Sequence, residues 1–373
     1  LDTTATIYDL HLDFNASGKL LGIGYSQSGS IDADWIALAM ELTPYVSSGA
    51  LGVEVGDVAL SESGFDFDLD GWLWDIIDWF GIDIDGLLWD VISALIEDMA
   101  ADEIPALMAD VLGGLEIGTA FDIEDNTYQL DMIPYSVSVD DLGMTLGLET
   151  YVTADTWVTP HDSPGSVMYP YSAPSYSSGS NAMVLGVSQD FLNQLFHALW
   201  AGGLLEMEMP SEELGLDVSD LGDFLPISEL SLKVSAYLPP VVVPGTGSEL
   251  LDLQIGDLEI SLYDGDVDET NLFMRFYISV TAGLELSSSG SSFKAGLGDT
   301  EIEFDLVFPN ERSIHAEGVE NFLGQLVDLL LPSLTEALGE FPIPEIAGFS
   351  LDNVTVELDG AEDGFVTLGG DLV

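Results

Sequence analysis

The chain has 373 residues, which is enough for two domains that each bury a sizeable core. Its 67 Asp and Glu against 5 Lys and Arg give a formal net charge of −62 at pH 7, and this charge disfavours nucleic acids and anionic membranes as partners because both repel an acidic surface. An apolar fraction of 47% excludes a chain that is disordered throughout.

The same composition indicates where the protein works. Acidic residues at this density match proteins from saline habitats, in which salt screens the repulsion between carboxylates. The chain has no cysteine, so disulfides and thiolate metal sites are excluded. No basic stretch followed by an apolar run opens the chain, so we expect any signal peptide to have been removed. We therefore expect a secreted, extracellular or cell-envelope protein, bacterial and from a saline environment.

The first half of the chain predicts strands interrupted by a helical region. Residues 1–70 alternate between polar and apolar side chains, which predicts antiparallel strands. Turn-forming residues at 15–18 and 47–49 predict two of the turns between them. Over residues 71–112 the apolar side chains recur at helical spacing, which predicts helices. Strands are predicted again over 117–157.

The second half repeats this order after a linker. A stretch rich in Pro, Ser and Tyr at 159–182 predicts an extended linker. Residues 188–200 then predict an amphipathic helix with Ser188 as its N-cap, and the alternation over 204–308 predicts strands. A long amphipathic helix is predicted over 319–338. Two closing strands are predicted at 350–358 and 365–368.

Residues 183–209, MVLGVSQDFLNQLFHALWAGGLLEMEM, resemble the first strand, helix and second strand of the C-terminal domain in the bactericidal/permeability-increasing and lipopolysaccharide-binding family. In that family this stretch follows a Pro- and aromatic-rich linker, as it follows residues 168–174 here. Residues 321–338, the phrase FPIP at 341–344 and the strands at 351–368 are similar to the family's C-terminal signature. The family's cationic tip is missing, so endotoxin neutralisation is not implied.

The resemblance implies an α+β fold of two elongated barrels of highly curved antiparallel sheet. Each barrel carries long amphipathic helices, and a central sheet joins the two in a boomerang shape. On this interpretation residues 1–158 form a reduced N-terminal lipid-binding barrel, 159–182 the linker and 183–373 the C-terminal lipid-binding barrel.

A helix laid along an incompletely closed sheet leaves an apolar slot in which each buried methylene contributes about 0.8 kcal/mol to holding an acyl chain. A phospholipid or fatty acid is therefore the expected ligand, and a dry core is the alternative for the same residues. The predicted lining is Leu88, Ile92, Leu95 and Met99 in the first barrel and Phe191, Leu195, Leu199, Phe322, Leu326 and Leu330 in the second.

Two acidic triplets are candidate Ca²⁺ sites. Repelling carboxylates on one face of a strand or at a hairpin tip would gain from a cation, although solvated turns explain the same residues. An EF-hand is excluded because Ile77 stands where its twelfth position needs Glu. The triplets are Asp66, Asp68 and Asp70, and Asp264, Asp266 and Asp268.

No motif supports catalysis. The four His residues show no zinc-ligand spacing, and the chain contains neither a Gly-x-Ser-x-Gly elbow nor a Gly-Lys-Ser/Thr loop. We therefore expect no enzyme and no catalytic cofactor. The leading hypothesis is non-enzymatic binding or transfer of amphipathic lipids.

The alternative hypothesis is a structural or adhesive assembly protein on the same scaffold. An incomplete barrel leaves strand edges with which a protein partner or a second copy can pair. The segment from Trp72 to Trp89 crowds aromatic side chains among acids, which favours a partner patch or a lipid-entry lip. Ordinary packing of helix against sheet remains the competing interpretation of that segment.

Overall fold

The structure is a computed structural model that describes only part of the chain. The described residues are 2–20, 23–69, 86, 89–94, 96–97, 99–100, 103–105, 117–123, 126–140, 143–169, 183–210, 229–245, 249–289, 292–307, 341–342, 351–359 and 364–372.

Contacts between Cα atoms divide the chain into two compact units. Unit 1 comprises residues 1–116 and 133–149, and unit 2 comprises residues 117–132 and 150–373. The domain division predicted from the sequence stays a prediction, because most of the proposed linker, residues 170–182, lies outside the described residues.

Unit 1 is built on a four-stranded antiparallel sheet. Strand β2 is its centre: it pairs with β1 over residues 23–41, with β3 over residues 35–47 and with β4 over residues 29–32. The turn predicted at 47–49 is confirmed, because Ser48 and Gly49 both take positive φ as a two-residue hairpin turn requires. The strands are β1 (Asp2–Leu20), β2 (Ile23–Ser47), β3 (Ala50–Ser63) and β4 (Asp66–Leu69).

The turn predicted at 15–18 is wrong. Strand β1 runs through these residues, which pair in register with Tyr25–Ser28 of β2. Turn-forming side chains express only a local preference, and the long ladder to β2 overrides it.

A three-stranded antiparallel sheet follows, in which the middle strand pairs with one neighbour on each side. Unit 2 contains a second three-stranded sheet, in which the last strand of the chain, β17, lies between β16 and β8. The six strands are β5 (Ile117–Ile123), β6 (Asn126–Asp140), β7 (Gly143–Ala154), β8 (Met183–Ser188), β16 (Leu351–Asp359) and β17 (Phe365–Leu372).

The largest sheet has seven strands and belongs to unit 2. Its strands run in the order β15-β14-β13-β12-β10-β9, and β11 pairs with β12 in line with β10. The Pro239-Pro240 break predicted between two strands separates β10 from β11. The strands are β9 (Glu206–Pro210), β10 (Leu230–Ala236), β11 (Val241–Pro244), β12 (Leu251–Asp264), β13 (Leu272–Ser289), β14 (Ser292–Val307) and β15 (Phe341–Pro342).

Helix α1 (Gln189–Ala201) packs against β11 and confirms the helix predicted at 188–200. Ser188 is its N-cap, because the Ser188 hydroxyl accepts a hydrogen bond from the Phe191 amide at 3.1 Å. The described residues between 86 and 105 are helical in short pieces. None of the described helices is long and apolar enough to cross a bilayer.

The predicted fold class is wrong. The described residues are mostly strands in open sheets whose outer strands do not pair with each other, so no closed or curled barrel is formed, and α1 is the one long helix among them. The physical reason is that two-residue alternation predicts strands but not the register and tilt that close a barrel. Helical spacing likewise predicts a period but not a length. The helix predicted at 319–338 lies outside the described residues.

Truncating a side chain on the buried face of the seven-stranded sheet should lower the stability of the protein. Phe276 on β13 has no exposed surface, so Phe276→Ala should lower the free energy of unfolding by about 3–5 kcal/mol through lost burial and a residual cavity. Urea unfolding in constant salt measures the change. The control is Val307→Ala on β14, which removes an exposed side chain and should cost about 0.5 kcal/mol or less. Equal losses in the two variants would contradict this packing.

Candidate functional site

The seven-stranded sheet has one apolar face that is excluded from solvent. Register places the side chains of β10, β12 and β13 in cross-strand rows, such as Leu232–Leu262–Met274 and Val234–Ile260–Phe276. Their exposed fractions are 1% or less. Further buried members of this face are Leu230, Ala236, Leu251, Leu253, Ile255, Leu258, Ile278, Val280, Ala282 and Leu284.

Helix α1 is tied to the edge of this sheet by polar side chains along one stripe. The Asn193 side-chain oxygen accepts from the Val242 amide at 2.7 Å, and the Gln189 side-chain amide donates to the Val242 carbonyl. At the other end of the helix, the Trp200 indole donates to the Ala236 carbonyl at 2.7 Å. The two side-chain amides thus form the hydrogen bonds with the Val242 N–H and carbonyl that a neighbouring strand would otherwise form.

The opposite face of the same sheet carries a buried polar cluster. Glu259 is 6% exposed, and its carboxylate accepts from the hydroxyls of Tyr237 at 3.0 Å, Tyr277 at 3.2 Å and Ser261 at 2.8 Å. The Arg275 guanidinium lies 3.0 Å from the same carboxylate and compensates its charge. Burial, followed by the bond to Glu259, raises the pKa of Tyr237 to about 12.

A second group of polar residues lies beside this cluster. Ser235 stands opposite both Glu206 and Glu259 in the ladder, and its hydroxyl lies 2.8 Å from His161 Nε2 and 2.9 Å from the Glu206 carboxylate. This is not a catalytic triad, because Glu206 approaches the same nitrogen, at 3.9 Å, and not the other side of the imidazole ring.

A second Ser–His pair lies on the outer side of helix α1. The Ser163 hydroxyl is 2.6 Å from His197 Nε2, and it also accepts from the Gly165 amide at 2.9 Å. Burial lowers the pKa of His197, whose ring packs against those of Trp157 and Trp200. Among the described contacts no carboxylate orients this imidazole, so the arrangement does not form a Ser-His-Asp/Glu triad.

The structure places the predicted lipid-lining residues in different environments. Leu195 and Leu199 are buried on helix α1 and Phe191 is half-buried. In unit 1, Ile92 is half-buried and Met99 is 55% exposed. This burial fits either a lipid slot or a dry core, so the set stays a prediction. Outside the described residues lie Leu88, Leu95, Phe322, Leu326 and Leu330.

The candidate Ca²⁺ sites also stay predictions. No group of three or more His, Asp or Glu residues within the described ranges is arranged to hold a metal ion. The Asp268 carboxylate accepts from the amide and the hydroxyl of Thr270, at 2.8 and 2.6 Å, and these bonds lower its pKa. Asp264 and Asp266 are exposed, as are Asp66 and Asp68 on β4, and Asp70 lies outside the described residues.

Sequence reasoning missed the polar residues that the sheet brings together. Gln189 and Asn193 did give a signal, since two amides four positions apart interrupt an otherwise apolar helix stripe. Glu259 and Arg275 gave a weaker signal in the sequence. Their partnership depends on the pairing of β12 with β13.

The position of Glu206 predicts a pH effect. Burial is the main cause that raises the pKa of Glu206 above its ordinary value of 4.5. Folding therefore favours the protonated carboxyl, and this stabilisation is fully present below pH 4.5 and is lost as the pH rises through the raised pKa. Glu206→Gln removes the ionisation, so the variant should be more stable relative to wild type at pH 8 than at pH 5. Its free energy of unfolding minus that of wild type should therefore be larger at pH 8. Urea unfolding at both pH values measures this difference.

The control for this effect is Glu303→Gln on β14, an exposed position of the same sheet. Its effect should be small at both pH values. A Glu206→Gln difference that stays constant or falls with pH would refute the role of burial.

Comparisons with known proteins give limited similarity. No protein-family model and no curated protein matches the sequence. The chain is similar to the crystal structure of lipopolysaccharide binding protein, with a TM-score of 0.49 and 15% identity over 99% of this chain and 82% of that one. It is also similar to the crystal structure of P47 of Clostridium botulinum E1, with a TM-score of 0.28 and 9% identity over 96% and 93% of the two chains. Likenesses at this level carry no functional argument, and membership of the predicted family stays a prediction.

Proposed function

We propose that this protein binds amphipathic lipids without catalysing a reaction, and that unit 2 holds the hydrocarbon tail against the apolar face of its seven-stranded sheet. The observation that carries the proposal is that face itself, whose rows from Leu232 to Ala236 on β10 and onward across β12 and β13 are apolar and excluded from water. A hydrocarbon tail lodged among these side chains gains about 25 cal/mol per Å² of its own apolar area that leaves water.

The dimensions of the face suit an acyl chain. The buried apolar side chains of β12 run from Leu251 to Leu262, which extends for about 36 Å at the rise of a strand. One leaflet of a bilayer holds hydrocarbon to a depth of about 15 Å, which is half of the membrane core. A tail aligned with the strands therefore finds apolar contacts along its whole length.

The charge of the chain supports the choice of ligand. A net charge of −62 opposes nucleic acids and anionic membrane surfaces. A lipid held by its tail does not depend on basic side chains. We also propose that the protein transfers lipid between membranes. A secreted or cell-envelope location in a saline habitat is part of the same proposal.

The proposal predicts lipid in the purified protein. Solvent extraction followed by mass spectrometry should release an amphipathic lipid in a near-integral ratio to the chain. Removing it should lower the unfolding temperature, because a ligand that binds only the folded state stabilises that state.

A matched pair of variants sharpens this test. Met274→Gln places a polar side chain of similar length on the buried apolar face, whereas Met144→Gln makes the same change at an exposed position of unit 1. Extracted lipid per chain should fall in the first variant and stay unchanged in the second. Wild-type protein that yields no lipid and shows interlocked side chains across the face would defeat the proposal in favour of a dry core.

A second candidate function is assembly through strand β1. This strand of 19 residues lies at the edge of its sheet, and within the described part of the chain β2 is its one partner. Ile7, Tyr8 and Leu12 are exposed, Tyr8 by 70%. An exposed edge of this length offers its free amides and carbonyls to another chain. Of the predicted aromatic patch, Trp89 packs on Phe65 and residues 72–85 lie outside the described residues.

Assembly through β1 predicts a change in oligomeric state. Wild-type protein should sediment as dimers or larger species in high salt, where charge repulsion is screened. Ile7→Lys combined with Leu12→Lys should shift the population to monomer, because lysine on an edge strand opposes pairing. Tyr45→Lys, at an exposed position of β2, is the control. Monomeric wild-type protein at every salt concentration would exclude this function.

A further inference from the structure

Helix α1 carries two side-chain amides in each of which only one of the two polar groups forms a hydrogen bond. Gln189 and Asn193 lie four residues apart on the buried stripe of the helix, and each is 1% exposed. One half of each amide is bonded to Val242, as described above. Among the described residues, neither the side-chain oxygen of Gln189 nor the side-chain NH₂ of Asn193 has a hydrogen-bond partner.

The orientation of both amides is determined by Val242. Its carbonyl can only accept, so the NH₂ of Gln189 must face it, and its N–H can only donate, so the oxygen of Asn193 must face that. Rotating either amide by 180° would place two donors or two acceptors against each other. The remaining groups are therefore one acceptor, on Gln189, and one donor, on Asn193.

Buried polar atoms without partners are rare in native proteins, because they have lost their bonds to water and gained none in return. One acceptor and one donor on adjacent turns are matched by a hydroxyl group, which donates one hydrogen bond and accepts another. A carboxylate or phosphate has only acceptors and would meet the Gln189 oxygen lone pair to lone pair. An ammonium group has only donors and would meet the Asn193 NH₂ in the same way.

The surroundings of the pair are apolar. Leu192, Leu195 and Phe196 are buried on the same helix, and Val242 and Leu253 are buried on the paired strands β11 and β12. A ligand whose hydroxyl reaches the two amides can therefore place a hydrocarbon tail among these side chains.

We propose that Gln189 and Asn193 form the head-group site for a lipid that carries a neutral hydroxyl, such as a long-chain alcohol. This inference rests on the proposed lipid-binding function and names the class of lipid. The hydroxyl donates to the Gln189 oxygen and accepts from the Asn193 NH₂, while both amides keep their bonds to Val242.

The test compares three probes that share one tail. Hexadecan-1-ol, hexadecane and ionised hexadecanoate at pH 8 are each partitioned between the delipidated full-length chain and phosphatidylcholine vesicles, with direct measurement of bound probe. We expect the alcohol to bind at least about tenfold more tightly than the other two, the ratio that one or two buried hydrogen bonds supply. This comparison uses wild-type protein and needs no variant to fold.

Variants then locate the discrimination. Asn193→Leu should bring binding of the alcohol down to the level at which the same variant binds hexadecane. Gln194→Leu is the control, because Gln194 is the next residue of the helix and its side chain accepts from the Val152 amide, away from the pair. Circular dichroism of each variant establishes that it folds. A variant that does not fold is replaced by Asn193→Asp, which keeps the oxygen that accepts from Val242 and should reduce the preference for the alcohol at pH 8.

The outcomes separate this inference from the function on which it rests. Equal binding of the three probes, or a preference that survives in the Asn193 variant, would overturn the hydroxyl site and leave lipid binding in place. No binding of any probe would overturn both. A crystal structure of the alcohol complex with an ordered water between the two amides and the ligand elsewhere would also overturn the site.

Discussion

The register of β10, β12, β13 and β14 is the constraint on which the apolar face of unit 2 depends. Side chains alternate between the two faces of a strand, so a shift of one residue would move a whole apolar set onto the polar face. The one point where β12 breaks its alternation preserves the face. Ile255 and Leu258 are three positions apart, yet both stay on the apolar side because a bulge at Gly256 and Asp257 adds one residue opposite Val280 and Ile278.

Along β11, the edge of this sheet is covered by helix α1. Strand β11 is short, and the peptide group of Val242 is bonded by two side-chain amides of α1. Because an unpaired strand edge attracts other chains, this arrangement protects the edge and also brings polar groups into an apolar region. The same few residues thus stabilise the sheet and create its one described pair of buried unpartnered side-chain atoms.

Charge is distributed unevenly between the inside and the outside of unit 2. Arg275, one of only five cations in the chain, is committed to the buried carboxylate of Glu259 and to Glu269 at 3.0 Å. Lys233 bonds Glu208 on the neighbouring strand at 3.0 Å. The outward side chains of β14, such as Glu301 and Glu303, are exposed acids. Anionic head groups therefore meet repulsion at the surface, so the proposed lipid ligand would be held by neutral and apolar contacts.

Local pattern was enough to predict several elements. Two-residue alternation predicted the strands of residues 1–70, Ser188 and the apolar stripe after it predicted α1, and the turn-forming residues at 47–49 predicted a turn. These features are determined by residues close to one another in the chain. The turn at 15–18 failed for the complementary reason, since pairing with a distant part of β2 overrode a local preference.

The sequence by itself determined that the chain forms strands, where helix α1 begins, and that the protein carries an acidic surface. Only the tertiary structure decided that the sheets formed by the described residues stay open and that Glu259 pairs with Arg275. It also decided that Gln189 and Asn193 each form one hydrogen bond to the peptide group of Val242. The physical reason is that periodicity records which side of its own element a residue occupies. Its partner on another element depends on strand register, bulges and edge pairing, which residues far apart in the chain set together.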